Sequence, residues 1–137
     1  MNGTEFIAKI LKAEGIDSVT CFPSNPLIEA VAKEGIKPIS FRHERGAVMA
    51  ADGFSRISQR KKFGVAIVQS QAGAENVMGG IAQAYADNIP ILLMPGGISL
   101  SQLGVKPNFS ALQNYQGWVK QVETVLSPNE VGNVMQR

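Results

Sequence analysis

The chain of 137 residues has little of what usually announces a specialised protein. It carries a single cysteine, Cys21, so no internal disulfide can form. The apolar run around Cys21 suits a reducing compartment and reads as the site of a small buried hydrophobe rather than a nucleophile. Charged residues make up 18% of the chain and leave a net charge of +2, too small an excess to argue for nucleic acid. The one basic run, Arg60-Lys61-Lys62, reads as a solvated turn. No apolar stretch approaches the roughly 20 residues that span a bilayer. The segment from Met1 to Gly15 carries charges throughout and does not resemble a secretory signal. Neither Gly-x-x-x-x-Gly-Lys nor Gly-x-Gly-x-x-Gly occurs, which leaves no phosphate-loop or dinucleotide fingerprint. There is no internal repeat or low-complexity tract. The expectation from these absences is a cytoplasmic globule, with no nucleic acid and no membrane.

What is present is an alternation of strand and helix signals. Thr4 opens a first helix with Phe6, Ile7, Ile10 and Leu11 on one face, closed by Gly15. A strand over Val19–Phe22 stops at Pro23, and a helix from Pro26 to Glu34 turns Leu27, Ala30 and Val31 inward. A second strand covers Pro38–Phe41, and a helix from about Glu44 to Ser58 places Ala47, Ala51 and Phe54 on one stripe. Phe63–Val68 and Ile89–Met94 are continuously apolar, as strands covered on both faces are. Between them a helix from about Glu75 to Asp87 points Val77, Ile81 and Ala84 inward. A long loop follows Pro95-Gly96-Gly97, then a possible fifth strand over Trp118–Val122 and a last helix opened by Ser127-Pro128. The pattern predicts one domain over residues 1–137: α/β, doubly wound, a mostly parallel sheet with helices on both faces.

In such sheets ligands bind beyond the carboxyl ends of the strands. Three segments fall there. Phe22-Pro23-Ser24-Asn25-Pro26 follows the first strand, and Ser24 or Asn25 would cap the next helix. Phe41-Arg42-His43-Glu44-Arg45-Gly46-Ala47 sets Glu44 where a strand ends and a helix begins. An acid in a first helical turn is favoured by about 0.3–1 kcal/mol whatever its role. His43, the only histidine, is equally well read as a site residue or as a hydrogen-bonded structural imidazole. Gln69-Ser70-Gln71-Ala72-Gly73-Ala74-Glu75-Asn76 follows a buried strand and opens a helix.

The run from His43-Glu44 through Ala51-Asp52-Gly53-Phe54-Ser55-Arg56 resembles the Arg-His-Glu-x-Gly-Ala…Ala-Asp-Gly-(Tyr/Phe)-x-Arg signature of the pyrimidine-binding domain of thiamine-diphosphate enzymes, of the acetolactate synthase and 2-oxoacid decarboxylase type. Ser70, Gly73, Ala74 and Asn76 are similar to the Thr-Ser-Gly-Pro-Gly-Ala-x-Asn turn of the acetolactate branch, where Gln71 and Ala72 stand for Gly and Pro. Gly79-Gly80-Ile81-Ala82-x-Ala84-Tyr85-Ala86-Asp87-x-x-Pro90 also resembles the family. The likeness runs from about residue 3 to 137 and is loose after residue 98.

The resemblance implies that Glu44 hydrogen-bonds N1′ of the cofactor's aminopyrimidine and starts the proton relay that activates thiazolium C2. Pro23, Ser70, Gly73 and Asn76 then shape the pyrimidine side, and Ser24, His43 and Gln69 face the substrate, a 2-oxo acid to be decarboxylated or ligated to a second carbonyl. The family holds the diphosphate through Mg²⁺ on a Gly-Asp-Gly…Asn motif in a separate domain. That motif is missing here, so no metal ligand is expected in this chain and a diphosphate-binding domain or subunit is expected as partner, within a homodimer or larger assembly. A final family strand, rich in Gly-Pro-Val, has no counterpart before Arg137, so a domain cut from a larger enzyme is expected. Two rival expectations are the small subunit of a two-chain sulfopyruvate- or phosphonopyruvate-type decarboxylase and a non-catalytic α/β interaction module.

Overall fold

The structure, a computed structural model, describes all 137 residues. Four strands, β1 (Ser18–Cys21), β2 (Lys37–Ser40), β3 (Gly64–Val68) and β4 (Ile91–Pro95), form one sheet in the order β2-β1-β3-β4. Every pairing is parallel, with Thr20 beside Ala66 and Val65 beside Leu92. The helices are α1 (Gly3–Ala13), α2 (Pro26–Lys33), α3 (Glu44–Ile57), α4 (Ala72–Asn76), α5 (Met78–Ala86), α6 (Ala111–Asn114) and α7 (Val131–Met135).

Local chemistry sets the helix ends. Asn2 caps α1 by accepting from the Glu5 N–H at 2.9 Å, while Glu5 accepts from the Asn2 N–H at 2.9 Å, a reciprocal capping box. Asn25 caps α2, with Pro26 in the first turn. Gly15 and Gly35, at φ +76° and +74°, let the chain leave α1 and α2 through the left-handed region.

The central strand β3 is buried at all five positions and serves both faces. Val65 and Ile67 join Leu11, Val19, Val31 and Ile36 in a core under α1 and α2. Ala66 and Val68 join Val48, Ala51, Val77 and Ile81 in a second core under α3 and α5. Each buried Val, Leu or Ile among them contributes about 1.5–3 kcal/mol, and the two cores are what makes the fold doubly wound. The small residues of α3 permit a close approach: a Cβ on Gly64 would lie 2.2 Å from the Ala51 carbonyl oxygen.

Four sequence expectations are corrected. Trp118–Val122 is no strand; only an isolated bridge joins Gln116 to Val119. Gly117 turns the chain at φ +85°, and Val119 and Val122, three apart, pack on the second core in place of a period-two alternation. The helix expected over Glu75–Asp87 starts earlier and divides at Val77 into α4 and α5. Phe54 is 45% exposed because the inward stripe of α3 runs through Ala47, Val48, Ala51 and Ser55. Phe6 and Ile10 are only half-buried, and Ala8 with Leu11 forms the buried face of α1. No helix is long and apolar enough to cross a membrane.

Candidate functional site

The strand order reverses between β1 and β3. The chain leaves β1 toward one side of the sheet and β3 toward the other, the arrangement that in open parallel sheets places a ligand crevice between the two exits. Glu44, the first residue of α3, enters it. Its side chain is 3% exposed. Oε2 accepts from the Asn76 amide at 3.0 Å, which joins the start of α3 to the end of α4. Oε1 accepts from no group of the chain, yet no fully buried side-chain oxygen lacks a partner, so Oε1 keeps access to the crevice. A carboxylate withdrawn from water with one oxygen unmatched is costly. The arrangement offers that oxygen to a donor or a proton from outside the chain.

Gly73 makes the arrangement possible. A Cβ there would sit 2.9 Å from Glu44 Oε1 and 2.5 Å from the Gln69 Cβ. Any side chain at position 73 would therefore displace the carboxylate or the loop after β3. Gln69 thus takes part as a packing neighbour of Gly73, and Ser70 lies close under Gly96, whose Cβ would be 3.2 Å from the Ser70 nitrogen.

At the exit of β1, capping falls to Asn25 and not to Ser24. Asn25 Oδ1 accepts from the Leu27 N–H at 3.0 Å, and Nδ2 donates to the Val68 carbonyl at 2.9 Å and the Met94 carbonyl at 3.5 Å. One side chain thereby ties together the exits of β1, β3 and β4. Ser24 is left exposed at φ +96°, a conformation that costs a non-glycine residue about 1–3 kcal/mol, with its hydroxyl bonded to nothing in the chain. Pro23 is exposed beside it.

His43 is the N-cap of α3: Nδ1 accepts from the Arg45 N–H at 3.1 Å. In the neutral ring the proton then resides on Nε2, which remains exposed as a donor. The imidazole is thus structural through one nitrogen and available through the other. Arg42 and Arg45 flank Glu44, exposed and without an ion-pair partner; the Arg45 guanidinium lies over Gly79.

Of the eight residues singled out from the sequence, Glu44, Asn76, Gly73 and Gln69 form one contact set. Ser70, Pro23 and Ser24 line the exits of β3 and β1 beside it, and His43 sits on the rim. Sequence reasoning missed Asn25 as a tie between three strands, Gln71, and Tyr115, whose hydroxyl donates to the Ala74 carbonyl at 2.5 Å. The Asn25-Pro26 pair signalled a cap; nothing signalled Tyr115.

The Asp52-Gly53-x-x-Arg56 part of the signature lies elsewhere, about 12 to 18 Å along α3 from Glu44 at 1.5 Å per residue. Arg56 holds Asp52 at 2.7 Å and Asp87 at 2.7 Å, and both carboxylates keep its guanidinium firmly charged. A cavity of about 400 Å³ lined by Arg56, Gln59, Arg60 and Ile89 opens at that end, but its arginines are already partnered. No group of three or more His, Cys, Asp or Glu side chains could hold a metal ion.

Residues 1–124 match the family model described as thiamine pyrophosphate enzyme, N-terminal TPP binding domain. The chain is 36% identical over 107 residues to the acetolactate synthase isozyme 2 large subunit of Escherichia coli, covering 76% of this chain and 19% of that protein. It is 37% identical over 107 residues to the probable acetolactate synthase large subunit of Methanocaldococcus jannaschii, covering 76% and 18%. A third relative, the acetolactate synthase large subunit of Lactococcus lactis, is 36% identical over 107 residues, covering 75% and 18%. The chain spans about a fifth of the length of these relatives.

Proposed function

The chain belongs to the family of thiamine pyrophosphate enzyme N-terminal, TPP-binding domains, and on that premise we propose that it forms the pyrimidine side of a thiamine-diphosphate-dependent enzyme acting on 2-oxo acids, by decarboxylation, carboligation or both. The observation that carries this reading is Glu44: buried, held on one oxygen by Asn76, and open to the crevice on the other. When bound, thiamine diphosphate would supply an electron sink for the pair left on the former carbonyl carbon of the 2-oxo acid.

The chain's own residues do the following. Glu44 Oε1 would face the N1′ edge of the aminopyrimidine and share a proton with it, so holding or giving up that proton at Oε1. Asn76 fixes the carboxylate rotamer, so that the free oxygen is aimed before the ligand arrives. Gly73 lets the loop after β3 pack against the carboxylate with no side chain to displace it. Pro23 and Ser70 flank that space, and the free hydroxyl of Ser24 and the Nε2–H of His43 are donors suited to the carboxylate of a 2-oxo acid. Orientation of this kind is worth several orders of magnitude in rate when it brings reacting atoms into line.

Mg²⁺ would be held by carboxylates together with the phosphate oxygens, and the family's Gly-Asp-Gly…Asn motif for that task does not occur in this chain. The diphosphate end therefore belongs to another domain or subunit, and the assembly, a homodimer or larger, completes the site. Titration calorimetry with thiamine diphosphate and Mg²⁺ tests this half-site reading. The expected result for the 137-residue chain is weak binding that Mg²⁺ does not strengthen. Submicromolar, Mg²⁺-dependent binding would show a complete site in one chain and overturn it. The complete absence of binding at millimolar cofactor, with the fold intact, would favour an interaction module.

A further inference from the structure

Gln71 follows β3 directly and stands at the N-cap of α4, at φ +54° and ψ −114°, yet its side chain caps nothing. It reaches across to the long segment after β4. Nε2 donates to Asn108 Oδ1 at 3.0 Å, and Oε1 accepts from the Phe109 N–H at 3.0 Å. The orientation of both amides follows from the surrounding bonds. Asn108 Nδ2 is occupied by the carbonyls of Gln102, at 3.0 Å, and Val105. Its Oδ1 must therefore face Gln71, and Gln71 must present its NH₂ there and its oxygen to Phe109.

The far side of Phe109 is fixed as well. Its ring meets Tyr115 edge-on, centroids 6.2 Å apart, and the Tyr115 hydroxyl donates to the Ala74 carbonyl in α4. At the other end of the segment the Gly96 N–H donates to the Val68 carbonyl at 2.9 Å. Leu100, Leu103 and Val105, between these anchors, are exposed. Apart from Gln71, the segment from Ile98 to Asn108 makes no side-chain hydrogen bond outside itself. One glutamine amide, in a backbone conformation that favours glycine, is its polar link to the sheet.

We propose that Gln71 is a latch: it seats residues 98–109 across the carboxyl end of the sheet as the outer wall of the crevice, and is thereby a positioning residue for the ligand that Glu44 meets. The assignment of the ligand rests on the function proposed above; the latch does not. Removing the amide frees the wall without touching Glu44, Asn76 or Gly73. Replacing it by a carboxylate keeps the length but sets an anion against Asn108 Oδ1, and that repulsion drives the side chain away from Asn108 and Phe109 together. Protonation of that carboxyl restores a donor.

Amide hydrogen exchange in the free chain, corrected for intrinsic rates, tests the latch without any cofactor. In Gln71→Ala the Phe109 amide is expected to lose about tenfold in protection, the factor that one net hydrogen bond supplies, while the amides of β3 stay as in the wild type. In Gln71→Glu the same loss is expected at about pH 7.5 and its recovery at about pH 3.5, below the ordinary glutamate pKa of about 4.3. Phe109 protection unchanged in both variants would overturn the latch. So would a loss in Gln71→Glu that acid does not reverse, because a merely structural disturbance has no such pH profile. If β3 loosens in Gln71→Ala, the reversal in Gln71→Glu still decides. Failure of cofactor activation by Glu44 would leave these rates untouched, so the two readings fail separately.

Discussion

The two ends of the parallel sheet are built from similar residues and treat them differently. At the amino end, Ser55 accepts from the Gly64 N–H at 2.8 Å and donates to the Pro90 carbonyl at 2.7 Å, and Arg56 bridges Asp52 and Asp87. The two buried polar side chains there, Asp52 and Ser55, both have their partners inside the chain. At the carboxyl end, Glu44 has one unmatched oxygen and Ser24 an unbonded hydroxyl. Left-handed backbone at non-glycine residues occurs at both ends, at Ser24 and Gln71 here and at Gln59, Arg60 and Asn88 there, so strain does not separate them. Unmet valence does: it persists where the rest of the fold holds it and a ligand can answer it.

The contrast can be broken by substitutions, the largest effect first. Gly64→Ala should be the most damaging, since its methyl would meet the backbone of Ala51 at 2.2–2.6 Å. Neither neighbour can move without parting α3 from β3. A loss of about 3 kcal/mol or more is expected in urea denaturation, and a loss below about 1 kcal/mol would mean that this end is looser than described. Ser55→Ala comes next. It strands the Gly64 N–H and the Pro90 carbonyl, and each buried orphan costs about 1–3 kcal/mol. A fall in stability of about 2 kcal/mol, with cofactor binding by the assembled enzyme unchanged, would mark this end as structural.

Tyr115 gives the pH arm. Burial holds its phenol well above the ordinary value of about 10. Above pH 10 the unfolded chain then sheds a proton that the folded chain retains, so the unfolded state binds fewer protons and stability falls as pH rises. Below pH 10 both states are protonated and the group leaves no slope. Tyr115→Phe should cost about 1 kcal/mol at pH 7 through the lost bond to Ala74, and should flatten the decline in Tm above pH 10. An unchanged decline would place its cause elsewhere.

The smallest effect runs in the opposite direction. Ser24→Gly relieves the backbone at φ +96° but adds freedom to the unfolded chain, for a net gain of up to about 1 kcal/mol. A Tm that rises slightly while turnover of the assembled enzyme drops would show strain kept for use. A clear loss of stability would contradict the strain at Ser24.

How much of this could be read beforehand follows the same division. The buried strands, the inward faces of α2 and α5 and the start of α3 were legible, because continuous apolar runs and 3.6-residue periods record burial directly. Glu44, Gly73 and Asn76 were legible as one constellation only through the family signature; periodicity places them at helix starts and says nothing of their contact. Asp52 and Arg56 show the limit of a signature, since their shared run with Glu44 did not reveal that they serve the other end of the sheet. The segment after residue 96 was opaque because long-range side-chain bonds hold it, Gln71 to Asn108 and Tyr115 to Ala74, and no local period encodes those. Trp118–Val122 looked like a strand by composition, and Gly117 overrode it.

The central claim is that the free oxygen of Glu44 carries the proton that activates the cofactor. It is tested most directly by hydrogen–deuterium exchange at thiazolium C2, with the chain assembled with its diphosphate-binding domain or subunit, wild type against Glu44→Gln. Glutamine keeps the volume and the contact with Asn76 but cannot share the proton. The expected result is a folded variant in which exchange slows by about 10²-fold or more, the usual contribution of a positioned acid–base group. Equal exchange rates in the two proteins, with equal cofactor occupancy, would contradict the account.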